Sequence, residues 1–203
     1  GLSLTQTTDI ISKSLRVLSK IIPMSDSSIR TVLKTKTGDE LSFQEYFVKY
    51  QSLPEIVDIW YQNIEISTPN NKFTNALDNS DMLIITPPNP FLSIGPIINM
   101  KGIMEKIKRF KGTRIAVSPI IGGKALKGPA GKIIKELGEN PSCYAVAKYY
   151  KELIDVFIID EVDYKYASLI HDLGMKVVIA PIIMRSLLDK ITLAKNILCI
   201  NNH

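Results

Sequence analysis

The spacing of short apolar runs in the second part of the chain constrains the fold more than any other feature. The runs lie at residues 82–85, 115–117, 156–159 and 177–179, and stretches with helical periodicity separate them. Buried parallel strands are continuous apolar segments of this kind, and each is joined to the next by a crossover helix. Residues 81–203 are therefore predicted to form a Rossmann-like α/β portion, in which helices flank a parallel sheet.

The first 80 residues follow a different pattern, which predicts a helix and a smaller β-rich portion. Ser3 and Gln6 match a capping box, and apolar residues then recur at helical spacing up to Pro23. Strands are predicted at 30–36, 40–48 and 57–64, and a short helix at 73–79. A chain of 203 residues is a natural size for one structural domain. Residues 1–80 and 81–203 are therefore interpreted as two portions of a single domain.

Composition argues against several classes of protein. The longest apolar runs are far shorter than the roughly 20 residues that cross a bilayer, so we expect a cytoplasmic protein without a membrane partner. Cys143 and Cys199 have neither CxxC spacing nor a nearby histidine pair, which argues against a zinc site or a disulfide framework.

The net charge of +5 implies attraction to anions. A basic cluster around one predicted helix has a single aromatic neighbour, Phe110, for base stacking, so it is interpreted as a solvated helix face. We expect no nucleic-acid partner. The cluster consists of Lys101, Lys106, Lys108, Arg109, Lys111 and Arg114.

The loop after the first apolar run is a candidate binding element, because ligands of open parallel sheets lie beyond the carboxyl ends of the strands. Residues 86–96 contain four prolines, which make the loop stiff. Asn89 can donate and accept hydrogen bonds, and Ser93 is placed to cap the next helix. A helix start near Pro96 would direct free N–H groups toward an anion. A rigid connection with an ordinary N-cap is the alternative, and the residues leave both open.

The loop after the second apolar run combines glycines with lysines between a strand and a helix. Gly122, Gly123 and Gly128 allow backbone amides to approach phosphates, while Lys124 and Lys127 supply positive charge. The pattern is neither a P-loop nor GxGxxG, because no Lys-Ser/Thr pair follows the third of these glycines. Both a phosphate-binding loop and a flexible loop with solvated lysines fit this composition.

Acidic residues and histidines supply weaker candidates. Asp160, Glu161 and Asp163 follow the third apolar run, where an acidic pair could bind a metal ion. Stabilisation of a helix N-terminus by negative charge explains them equally well. His171 and His203 lack the companions that a catalytic base or a metal ligand needs. No metal site is predicted in this chain, with Asp160 and Asp163 as the weaker alternative.

Two segments resemble the 2-phospho-L-lactate transferase (CofD) family. Residues 117–130, Val-Ser-Pro-Ile-Ile-Gly-Gly-Lys-Ala-Leu-Lys-Gly-Pro-Ala, look like the family's most distinctive stretch. Asn89-Pro90, followed by the Ser-Ile-Gly-Pro-Ile that begins at Ser93, is similar to the family's earlier loop. Shorter matches at 23–26, 43–48 and 157–160 fall in the family's order, so the resemblance runs along almost the whole chain.

The resemblance implies transfer of a phospholactyl or phosphoenolpyruvyl group from a guanosine diphosphate-linked donor to the deazaflavin Fo. That step releases GMP and forms the precursor of coenzyme F-420. It also implies Mg²⁺, because phosphoryl transfer depends on positioning and charge neutralisation. Lys124 and Lys127 would then bind phosphate charge, and the backbone amides around Gly122, Gly123 and Gly128 would bind the diphosphate. The pocket would be lined by Asn89, Ser93, Ser118 and Pro119.

The sequence departs from the family pattern mainly at its start. The family's Gly-Gly-Thr-Gly-Gly loop, and the Asn-Thr-Gly-Asp-Asp-like segment implicated in metal and Fo binding, are not found in it. We therefore expect the chain to be the C-terminal two thirds of such a transferase, with Mg²⁺ ligands upstream and no turnover by the chain alone. An uncovered sheet edge would then require a homodimer or a complementing N-terminal fragment.

Two alternatives to an active transferase are considered. The related YvcK-like group consists of nucleotide-sugar-binding regulators and shares the Ser-Ile-xx-Pro element of the first loop. That group lacks the Gly-Gly-Lys-Ala-Leu-Lys-Gly-Pro run, which favours the transferase. An inactive fragment of the transferase is the other alternative.

Overall fold

The computed structural model describes residues 1–125 and 127–200, and it begins with a helix and a strand-containing portion. The elements of this portion are α1 (Leu4–Ser14), β1 (Arg30–Thr35), β2 (Glu40–Ser42), β3 (Ile56–Gln62) and α2 (Asn71–Asn79). The three strands form an antiparallel sheet in the order β2-β1-β3. The smaller strand-containing portion predicted from the sequence is confirmed.

Helix α1 ends earlier than predicted. Its capping box is present, because the Ser3 hydroxyl accepts a hydrogen bond from the Gln6 amide while the Gln6 side chain accepts one from the Ser3 amide. Arg16 takes a positive φ of 55°, and its amide and that of Val17 close a Schellman-type turn. The prediction of a helix up to Pro23 is therefore wrong beyond Ser14. The structure describes every residue of α1, and none of them is buried. The homodimer or complementing fragment expected from the sequence stays a prediction.

The segment 40–48 is a strand only at its beginning. The Ser42 hydroxyl accepts a hydrogen bond from the Glu45 amide, and the Glu45 carboxylate accepts one from the Ser42 amide. This Ser-x-x-Glu arrangement is a capping box, so it starts a helical turn at Glu45–Lys49 in place of the predicted strand. The strand prediction is wrong beyond Ser42, and Tyr46 of the turn is fully buried.

The second portion contains the parallel sheet that the apolar runs predict. Its elements are β4 (Met82–Ile85), α3 (Gly95–Ile98), α4 (Ile103–Lys108), β5 (Thr113–Val117), β6 (Ile120–Ile121), β7 (Lys124–Ala125), α5 (Ala130–Glu136), α6 (Cys143–Tyr149), β8 (Val156–Ile159), α7 (Ala167–His171), β9 (Lys176–Ile179) and α8 (Leu187–Cys199). The four-stranded sheet has the order β4-β5-β8-β9, and all neighbouring strands are parallel. The predicted α/β, Rossmann-like fold is confirmed.

The two faces of the parallel sheet are covered differently. Successive side chains of a strand point to opposite faces, so Phe157 and Ile159 pack into one apolar cluster while Val156 and Ile158 pack into another. The first cluster includes buried residues of α2, α3, α4, α6 and α7. The second includes Leu193 and Ile197 of α8. Helix α8 therefore has its apolar stripe on the sheet and its first turn beside the strand ends.

A third cluster connects the two portions of the chain. Leu33, Tyr46 and Ile56 of the first portion pack with Leu92 and Ile133 of the second. This cluster anchors the antiparallel sheet against the segments that follow β4 and β7. No helix within the described residues is long and apolar enough to cross a membrane.

Candidate functional site

A cleft of about 430 Å³ lies where several strand ends of the parallel sheet meet. Residues from the loops after β4, β5 and β9 line it, together with the first residues of α5 and α8 and the end of the glycine-lysine loop. The lining consists of Pro87, Pro88, Asn89, Ser118, Pro119, Lys127, Ala130, Ile182, Met184 and Lys190. This is the location at which open parallel sheets bind ligands.

In the first loop, Asn89 is the helix cap. Its Oδ1 accepts hydrogen bonds from the Phe91 amide at 3.0 Å and the Leu92 amide at 3.1 Å, and thereby starts a helical turn at Pro90–Ile94. The expectation that Ser93 caps the next helix is wrong, because Ser93 lies inside this turn. Of the N–H groups expected to be free near Pro96, that of Gly95 donates to the Pro90 carbonyl, and proline has no N–H.

The same asparagine keeps one unused donor. Because its Oδ1 accepts two backbone hydrogen bonds, the other end of the amide must be Nδ2, so the orientation of the side chain is fixed. The Asn89 Nδ2 atom is buried and has no hydrogen-bond acceptor among the described residues. A buried donor without an acceptor costs about 1–3 kcal/mol, which a bound acceptor would relieve.

The glycine-lysine loop begins as a two-residue β-hairpin. Strands β6 and β7 pair across Gly122 and Gly123, which have φ values of 57° and 78°. Two successive positive φ values are typical of a type I′ hairpin turn and explain both glycines. The Gly122 amide, which was expected to bind diphosphate, donates instead to Asp163 Oδ2 at 3.0 Å. Leu126, also part of the predicted loop, lies outside the described residues.

Ser118 has a local structural partner as well. Its hydroxyl donates to the Ile120 carbonyl at 2.8 Å and accepts from the Ile120 amide at 3.2 Å, and the residue is buried. Ser118 therefore shapes the wall of the cleft that it lines. Lys127 is exposed at the cleft, whereas Lys124 is exposed on β7 and is not part of the lining. Gly128 borders a separate open cleft beside Phe47.

Asp160 and Asp163 bind backbone amides. Asp160 accepts hydrogen bonds from the Val162 and Ile182 amides, each at 3.3 Å, so it caps the turn Glu161–Tyr166 and ties the loop after β9 to the end of β8. Burial raises the pKa of Asp163 above its ordinary value, the charge of Asp160 adds to this, and the Gly122 amide opposes it. Negative charge at a helix start, one of the two readings of the sequence, is observed here.

The described residues do not fit a Mg²⁺ site. Both candidate carboxylates already accept amide hydrogen bonds, and the described residues contain no group of three or more His, Cys, Asp or Glu side chains that could hold a metal ion. His203 lies outside the described residues.

Lys190 is a cleft residue that the sequence analysis missed. It lies in the first turn of α8, after the capping box formed by Ser186 and Asp189. A lysine is unfavourable near a helix N-terminus, where the helix dipole is positive, and this local conflict was the available signal. Lys127 and Lys190 give the cleft two cations, and its described lining includes no carboxylate. The cleft is therefore suited to an anion.

A larger cleft, about 630 Å³, lies elsewhere. It is lined by residues of α1, the segment after it and α2, including Leu18, Lys20 and Lys72. None of its lining residues belongs to a loop at the carboxyl ends of the parallel strands, so volume alone does not identify the site.

Comparison with known families identifies the chain. The family model described as 2-phospho-L-lactate transferase CofD matches residues 1–180. The chain belongs to this family. Among curated CofD relatives, the 2-phospho-L-lactate transferase of Methanocaldococcus jannaschii is 38% identical over 98% of this chain and 63% of its own length. That of Methanococcoides burtonii is 36% identical over 98% of this chain and 64% of its own length. The chain thus spans less than two thirds of these relatives.

The fold also has solved neighbours. Two crystal structures of a Bacillus halodurans protein, which one of them describes as a UPF0052 family member, match with TM-scores of 0.67 and 0.63. The first match covers 97% of this chain and 67% of the neighbour at 16% sequence identity. At this identity the likeness shows the CofD chain's fold alone.

Proposed function

We propose that the protein is a transferase that moves a phospholactyl or phosphoenolpyruvyl group from a guanosine diphosphate-linked donor to the deazaflavin Fo, in coenzyme F-420 biosynthesis. Membership of the CofD family supports the reaction class. The observation that carries the proposal is the cleft at the strand ends, which joins both family loops and combines cationic lysines with an unused amide donor. The comparisons favour this function over a nucleotide-sugar-binding regulator.

In the proposed reaction, a hydroxyl oxygen of Fo attacks the phosphorus of the group to be transferred. A new P–O bond forms to Fo as its hydroxyl proton is released to water, the P–O bond to GMP breaks, and GMP leaves with the electrons of that bond. Phosphoryl transfer of this kind needs positioning and charge stabilisation more than covalent help. The residues of this chain would bind and orient the donor: Lys127 by its charge, Asn89 by its Nδ2, and Ser118 and Pro119 by shaping the wall.

Magnesium has no step in this proposal. The family resemblance implies Mg²⁺, but the carboxylates of Asp160 and Asp163 accept hydrogen bonds from backbone amides, and the described residues do not provide a set of metal ligands. The action that we assign to this chain is therefore the binding of the donor's anionic group.

The first test is GDP binding by calorimetry. Lys127→Ala removes a charge at the cleft, and we expect it to weaken GDP binding about tenfold, as for the loss of one charge-assisted contact. Lys124→Ala is the matched control, because Lys124 is also an exposed lysine of the same loop but does not line the cleft. Equal affinities of the wild-type chain and the Lys127 variant would argue against a donor site in this cleft.

The second test is turnover. Consumption of Fo is followed with a lactyl or enolpyruvyl guanosine diphosphate donor and Mg²⁺, with the Methanocaldococcus jannaschii relative as the positive control. We expect this chain, which spans 63% of that relative, to bind GDP without turnover. A form extended at its N-terminus is expected to be active. GDP binding without turnover in both forms would instead favour a regulatory protein.

A further inference from the structure

Helix α8 presents one lysine on its sheet-facing side. Lys190, Leu193 and Ile197 are spaced at i, i+3 and i+7, which places them on one face of a helix. Leu193 and Ile197 are buried in the cluster beneath the sheet, whereas Lys190 lies one turn earlier and lines the cleft. The apolar stripe of α8 therefore ends in a cation at the strand ends.

The position of this lysine is well determined by its surroundings. The hydrogen bond from the Ile182 amide to Asp160 fixes the loop after β9, and the Ser186–Asp189 capping box fixes where α8 begins. The dipole of α8 does not favour a lysine in this turn, because the helix N-terminus is positive. Its placement thus has no evident benefit for the helix itself.

The charge of Lys190 is also uncompensated. Neither Lys190 nor Lys127 has an ion pair or a side-chain hydrogen bond among the described residues, although several other lysines of the chain are paired with carboxylates. Two cations at one cleft repel each other unless an anion lies between them. Asn89, whose buried Nδ2 has no acceptor among the described residues, belongs to the same lining.

We propose that Lys190 is a substrate-binding residue that, together with Lys127, selects a multiply charged phosphate group such as a diphosphate. The identity of that group as part of the guanosine diphosphate-linked donor rests on the proposed function; the anion site itself does not. Lys190 lies outside the glycine-lysine loop, so the site has cations from two separate elements. A diphosphate would contact both, whereas a singly charged anion would gain little from the second.

The test measures binding of inorganic pyrophosphate and then GDP by calorimetry, with the 203-residue chain and its Lys190→Ala and Lys190→Arg variants. Lys195→Ala is the matched control, because Lys195 is an exposed lysine of the same helix that does not line the cleft. We expect Lys190→Ala to weaken pyrophosphate binding about tenfold, Lys190→Arg to restore most of the affinity, and Lys195→Ala to have no effect. Thermal unfolding verifies that all variants fold.

The outcomes separate the two proposals. Equal pyrophosphate affinity in the wild-type chain and Lys190→Ala would overturn the role of Lys190, and so would an equal loss in Lys195→Ala, which indicates nonspecific attraction. Pyrophosphate binding that depends on Lys190 without any binding of GDP would support the anion site and argue against the guanosine donor. GDP binding that is independent of Lys190 would support the guanosine donor and argue against the role of Lys190. A chain that binds neither pyrophosphate nor GDP would overturn both proposals.

Discussion

Charged residues are arranged differently at the two ends of the parallel strands. We call the amino ends of the strands the amino edge and their carboxyl ends the carboxyl edge. At the amino edge, Arg114 near the start of β5 binds Asp155, which immediately precedes β8. The Arg114 backbone amide and Nε donate to one carboxylate oxygen at 2.9 and 3.0 Å, and Nη2 donates to the other at 2.5 Å. At the carboxyl edge, Lys127 and Lys190 line the cleft without an acidic partner among the described residues.

The difference teaches how to separate structural charges from functional ones. The sequence analysis interpreted the basic cluster around α4 as a solvated helix face, and two of its lysines are paired on the surface: Lys106 with Asp78 at 2.7 Å and Lys108 with Glu152 at 2.9 Å. At the carboxyl edge, by contrast, Asp160 and Asp163 accept hydrogen bonds from backbone amides, and neither forms an ion pair with Lys127 or Lys190. The charges at the amino edge are therefore compensated within the protein, whereas the two cleft lysines are available to a ligand.

The largest expected effect is on the amino edge. Arg114→Ala removes a bidentate partner from Asp155, and the two side chains are only 15% and 41% exposed. We expect the free energy of unfolding to fall by about 2 kcal/mol, between the values for buried and exposed ion pairs. Urea unfolding measures it, with Arg109→Ala as the control because that arginine is exposed and has no ion pair among the described residues. A tenfold loss of GDP affinity in Arg114→Ala would contradict the division between the edges.

The next effect concerns the two ends of the Asn89 amide. Asn89→Asp keeps an acceptor for the Phe91 and Leu92 amides but replaces the unused donor by a negative charge. We expect at least about tenfold weaker pyrophosphate binding, because like charges repel, and a lower thermal stability, because the charged oxygen that replaces the buried Nδ2 has no donor. Asn89→Ala is the companion variant: it loses the cap as well and should be destabilised by about 1 kcal/mol. Full pyrophosphate affinity in Asn89→Asp would exclude the amide from the site.

The parts of the fold that depend on local pattern were predictable. The apolar runs predicted the four parallel strands, which are observed as β4, β5, β8 and β9. The strand predicted at 57–64 is observed as β3. In contrast, the strand predicted at 40–48 was wrong beyond Ser42 because a side-chain to backbone capping box overrode the β-propensity of the segment.

The site was less predictable, because it depends on which residues meet in the folded chain. The sequence indicated Asn89 and Lys127, which share one cleft, but it could not show that Asp163 engages the Gly122 amide from 41 residues away. Nor could it show that α8 returns to the same edge and brings Lys190. Both contacts depend on how the crossover helices pack on the sheet, and the spacing of residues along a short stretch of sequence does not determine that packing.

The smallest expected effect compares the pH responses of the two edges. The pKa of Asp155 is lowered: burial raises it, but the hydrogen bonds and charge of Arg114 outweigh burial. Its stabilising contribution is therefore present above the pKa of the unfolded chain and is lost as the pH falls through the folded pKa. The pKa of Asp163 is raised, chiefly by burial. Its ionised form is destabilising, so its cost appears as the pH rises through the folded pKa.

Asp163→Asn isolates the second response, because the Asn side-chain oxygen can still accept the Gly122 hydrogen bond while the titration is removed. In urea unfolding from about pH 3 to about pH 7, the variant should match the wild-type chain at the acid end and gain stability relative to it as the pH rises. Asp155→Asn should show the opposite trend, falling behind the wild-type chain as the pH rises. A variant Asp163→Asn that matches the wild-type chain at acid pH but becomes less stable than it as the pH rises would mean that the hairpin needs an ionised partner, and that the carboxyl edge holds a structural charge after all.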